Sequence, residues 1–114
     1  GAAALGWPRQ DGGEAAVAVL DDLAAHAAPG ARILWIGVAP GAVERYRGSG
    51  LLRGDLADAA APAEADLAVV ARTSGSRDAE YQAWGALGSA RAVAGAYLDE
   101  VPLVQVFARP GAWR

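Results

Sequence analysis

Apolar and polar positions divide the chain into one stretch with a helical period, two all-apolar runs and a closing pair of extended runs. From Gly13 to Ala28, Ala16, Leu20, Leu23 and Ala27 recur at the spacing of one helix face. Val19 and His26 lie alongside, and Asp21-Asp22 fall on the opposite, solvated side. Asp11 or Gly12 suits the start of this helix, Glu14 its first turn, and Pro29-Gly30 its end. The next stretch, Arg32-Ile33-Leu34-Trp35-Ile36-Gly37, runs into Val38-Ala39-Pro40-Gly41. It is too short for a buried helix and has the length of a strand covered on both faces. Pro40 to Arg47 then predicts a short helix closed by Gly48-Ser49-Gly50.

Leu51-Leu52 predicts a short edge strand, and Asp55 to Ala65 a polar connection. Asp66-Leu67-Ala68-Val69-Val70-Ala71 repeats the all-apolar signature, and the intervening helix makes its pairing with the first strand parallel. Arg72 to Arg77 predicts a loop with Ser76 as a cap. A helix over Asp78 to Leu87 then buries Tyr81, Trp84 and Leu87. Ala92 to Leu98 and Val101 to Ala108 read as two strands joined at Asp99-Glu100, with Pro102 at a strand end or edge and Pro110-Gly111 as the stop. The sum is a single α/β domain over residues 1–114. Its mixed sheet, in two or three layers, is parallel at the centre, ends in an antiparallel hairpin and carries helices packed on it. Residues 1–11, with Trp7-Pro8, form an extended lead-in and residues 110–114 a tail.

Composition narrows the function more than the fold. The 114 residues make one domain, and 54% hydrophobic content excludes disorder. All ten positive charges are arginine, and the net charge of −3 argues against a nucleic-acid partner. The absence of cysteine removes disulfides, thiolate metal sites and thiol nucleophiles, and one histidine is too few for a structural zinc. No apolar window is long enough to span a bilayer. The lack of methionine and the Gly-Ala-Ala-Ala opening predict a fragment of a longer protein.

Few residues offer chemistry. The Gly37-Val38-Ala39-Pro40-Gly41 junction lacks the lysine and hydroxyl of a phosphate loop, and Ala39 stands where a dinucleotide fingerprint needs glycine. Asp21-Asp22 and Asp99-Glu100 are adjacent carboxylates that point into water rather than into a cleft. Ser49, Ser74, Ser76 and Ser89 lie outside any nucleophile elbow, with only His26 available as a base. If there is a binding surface, it lies where open α/β sheets bind ligands, at the C-terminal ends of the central strands. That selects Pro40, Gly41, Glu44, Arg45 and Arg47, then Arg72 and Arg77. No cofactor is expected.

Two resemblances follow from longer motifs. Ala31 to Gly41, Arg53-Gly-Asp55 and Asp66 to Val70 resemble the first motif and later strands of class I methyltransferases that bind S-adenosylmethionine. Trp35, however, occupies the place of that motif's acidic residue, and Ala39 replaces a glycine. Too few residues separate Gly41 from Asp55 for the strand whose acidic end holds the ribose.

The second resemblance covers nearly the whole chain. It rests on Gly6-Trp7, Gly13-Glu14, Pro29-Gly-Ala-Arg-Ile33, Ala39-Pro-Gly-Ala-Val-Glu-Arg-Tyr-Arg-Gly48, Glu64-Ala-Asp-Leu-Ala-Val-Val70, Tyr97-Leu-Asp-Glu-Val-Pro-Leu103 and Val106-Phe107. In this order they are similar to the C-terminal soluble segment of bacterial membrane glycosyltransferases related to the dolichyl-phosphate-mannose–protein mannosyltransferases. Leu67 and Glu100 stand where that pattern has an aromatic residue and a turn glycine. The resemblance implies a non-catalytic extracytoplasmic (periplasmic) domain tethered to the inner membrane, within an enzyme that uses polyprenyl-phosphate-linked sugars. Its partners would be the membrane part of the same polypeptide, and an acceptor substrate or another protein. The family's catalytic carboxylates belong to the membrane part, so no catalytic residue carries over. A free-standing protein-interaction module is the remaining reading.

Overall fold

The computed structural model describes residues 16–71, 77–88, 91–99 and 101–114. Among these described residues, three helices and five strands follow in the order α1 (Leu20–His26), β1 (Arg32–Ile36), α2 (Pro40–Gly48), β2 (Ala57–Asp58), β3 (Leu67–Ala71), α3 (Arg77–Leu87), β4 (Ala94–Leu98) and β5 (Val101–Ala108). A single 3₁₀ turn, Pro62–Glu64, precedes β3. The strands form one mixed sheet in the order β2-β1-β3-β5-β4. β1 runs parallel to β2 and to β3, with Ile33 opposite Leu67 and Ile36 opposite Val70. β5 returns antiparallel to β3, and β4 antiparallel to β5.

The expected α/β architecture holds, in three layers. β3 is the central strand, and all five of its residues are buried. Alternate side chains of a strand point to opposite faces. On one face Ile33, Leu67, Val69, Val104 and Val106 pack with Leu20 and Leu23 of α1 and with Ala42, Val43 and Tyr46 of α2. On the other, Ile36, Ala68, Val70 and Phe107 pack with Ala83 and Leu87 of α3, and Trp84 lies against that cluster. Each fully buried large side chain contributes roughly 1.5–3 kcal/mol of transfer free energy.

Several boundaries differ from those the periodicity predicts. The start of the first helix, with Asp11, Gly12 and Glu14, lies outside the described residues, as do Trp7, Ser76 and Glu100. Residues 18 and 19 form a turn, so α1 proper begins at Leu20. Leu51-Leu52 is not a strand: both amides donate to the Tyr46 carbonyl at 2.9 and 3.2 Å, wrapping the end of α2. The edge strand is Ala57–Asp58, inside the stretch predicted as a connection. With two exposed residues paired to the start of β1, it needs no apolar run and leaves none in the sequence. Tyr81, expected inside, is 54% exposed and rests edge-on against Trp84 at 5.2 Å.

The predicted tail is docked. Ala112 is buried, its carbonyl accepts from the Ala28 amide at 2.8 Å, and Trp113 bridges Ala27. The hairpin is as expected: Leu98 opposes Val101, and Asp99 takes the left-handed φ of 51° that tight hairpin turns require.

Replacing Phe107 with Ala removes a side chain that is 2% exposed and packs tilted against Trp84 at 5.7 Å. The expected loss is about 3–5 kcal/mol in urea unfolding. Leu51→Ala, at a residue half in water, should change stability by less than about 0.5 kcal/mol.

Candidate functional site

At the C-terminal end of β1 the chain turns at Gly37, whose φ of 77° favours glycine, and enters α2 at Pro40. Free amides at a helix start bind anions. Here Pro40 has no N–H, and the Ala42 and Val43 amides both reach the Ala39 carbonyl, at 3.0 and 3.4 Å. Of the first four α2 residues, that leaves the Gly41 amide. Gly41, Glu44 and Arg45 are exposed on α2, and the Arg45 guanidinium folds back toward Gly41.

Arg47 turns away from this end and toward the sheet edge. Its guanidinium donates to the Leu56 carbonyl at 2.7 Å and to the Asp58 carboxylate. The Trp35 indole N–H donates to the same Asp58 oxygen at 3.0 Å. These bonds hold the two-residue β2 against β1 and α2. Arg47 is therefore engaged structurally, a role that the residue order alone does not reveal. Arg72 lies outside the described residues, and Arg77 opens α3. The structure thus places Pro40, Gly41, Glu44 and Arg45 together on the first two turns of α2 and diverts Arg47.

The opposite end of the strands carries a denser polar network. A cleft of about 320 Å³ lies there, lined by Ala28, Ala31, Asp66, Arg109, Pro110 and Ala112 among others. Asp66 accepts from the Arg32 amide at 3.0 Å and lies 3.9 Å from Arg109. Arg109 donates to the Ala65 carbonyl from Nε at 3.2 Å and Nη2 at 2.7 Å. Asp66 and Arg109 are the two charged residues lining the cleft, and they pair with each other and with the surrounding backbone.

Beside the cleft, Arg53 caps α1. It donates to the carbonyls of Ala24 at 2.8 Å, Ala27 at 2.8 Å and Ala28 at 3.2 Å. A helix leaves its last carbonyls without intrahelical partners, and a cation there also opposes the negative end of the dipole. Asp55 orients this arginine through both carboxylate oxygens, at 2.6 and 3.1 Å, and accepts from the Gly30 amide at 2.7 Å. The Arg53 hydrogen bond first, and the Gly30 amide second, hold the Asp55 carboxyl down at about 2. His26, the single imidazole, stacks on Trp113 at 5.3 Å and contacts the Arg114 carbonyl through Nδ1 at 2.5 Å. It is a boundary residue, and none of the serines is its partner in these contacts.

Among the described residues no group of three or more His, Asp or Glu side chains is placed to hold a metal ion. No described helix is long and apolar enough to cross a membrane. Compared with family models, with curated proteins and with solved structures, the chain finds no match.

The sign of the Asp55 contribution follows from its lowered value. A carboxyl that titrates near 2 when folded, against 3.8 otherwise, stabilises the fold above the higher value and loses that contribution as pH falls toward the lower. The urea midpoints of wild type and Asp55→Asn should therefore differ near neutrality and converge as pH drops through that window. Arg53→Lys keeps the charge but loses the planar fork, and should cost about 1–2 kcal/mol at neutral pH.

Proposed function

We propose that this domain is a non-catalytic extracytoplasmic accessory part of a membrane glycosyltransferase that uses polyprenyl-phosphate-linked sugars. It supports acceptor positioning or assembly of the enzyme. The reading rests on the ordered motifs from Gly6-Trp7 to Val106-Phe107. The observation in the fold that carries it is how the ionisable groups at both strand ends are used. Arg47, Arg53 and Arg109, with Asp55, Asp58 and Asp66, tie strands, turns and helix ends to one another. Catalytic groups must instead converge on a space where a reacting atom can sit. An α/β body braced in this way suits a rigid support carried beside a catalytic centre that lies elsewhere in the polypeptide. The partner on this reading is the membrane part of the same chain, with an acceptor or a further protein on the outer surface. The location is the periplasmic face of the inner membrane.

One observation favours the methyltransferase-like alternative. β2 lies parallel beside β1 and ends in an acidic residue, Asp58, the placement that holds a ribose in nucleotide-binding sheets. Against it, Trp35 and Arg47 already converge on Asp58 Oδ1, and the Ala39–Pro40 junction leaves few amides for a cofactor.

Thermal unfolding separates the readings. A ligand at a hundred times its dissociation constant stabilises a native state by about 2.7 kcal/mol, several degrees for a domain of this size. S-adenosylmethionine and nucleotide sugars should leave the midpoint unmoved. A clear shift with S-adenosylmethionine would replace the accessory reading with the methyltransferase one. Many apolar spans encoded upstream of Gly1 are the second expected outcome, and their absence from the full gene would favour a free-standing interaction module.

A further inference from the structure

We draw no further inference here: the strongest candidate, the exposed patch on the α3 face of β4 and β5 where the Tyr97 ring lies across Gly95 with its hydroxyl held by Gln105, carries no proposal because nothing in the structure shows what covers it.

Discussion

The parallel pairing of β1 with β3 is the constraint on which the rest of the structure depends. β3 has no exposed residue, so its backbone donors and acceptors have no water to fall back on. They are satisfied only if β1 lies on one side and β5 on the other. That requirement calls for a helical crossover between β1 and β3, with β2 held at the rim, and for a returning antiparallel strand after α3. Helices on both faces then exclude water from the five central residues. Their apolar side chains supply the favourable free energy, and the ladders on each side prevent the cost of orphaned peptide groups.

Around this centre the charged residues do mechanical work. Arg53 holds the end of α1, Arg47 pins a strand too short to hold itself, and Arg109 ties the exit of β5 to the entry of β3. In each case a planar guanidinium reaches backbone carbonyls that regular secondary structure leaves unpaired, a task for which the five-donor fork is better suited than an ammonium. This explains how a chain with arginine as its sole strong cation can be acidic overall yet rely on its cations for its corners. It also bears on function, since a cation already bonded to carbonyl and carboxylate oxygens of its own chain has little left to offer a ligand.

What was legible at the outset follows from the range of the interactions involved. The two all-apolar runs at β1 and β3, the closing hairpin and the helices were visible because burial imposes a period on consecutive residues. β2 was invisible because an exposed pair of residues at a sheet edge imposes none, and Leu51-Leu52 was mistaken for it because an apolar pair looks the same in a turn as in a strand. The docking of Ala112 and Trp113 against Ala27 and Ala28 joins residues more than eighty positions apart, which no local pattern records. Arg47 illustrates the limit for sites. Its place on the helix that follows the strand end suggested a ligand contact, whereas its side chain reaches Leu56 and Asp58, residues whose position depends on β2.

The residue order by itself determined the class of the fold, the parallel centre and the hairpin, because hydrophobic periodicity and turn chemistry are local properties read within a few residues. Only the tertiary structure decided that β3 rather than β1 is the centre, where the short parallel strand β2 lies, and which charges face each other. Those outcomes depend on hydrogen bonds and packing between segments far apart in the chain, whose relative placement is fixed only when the whole core closes.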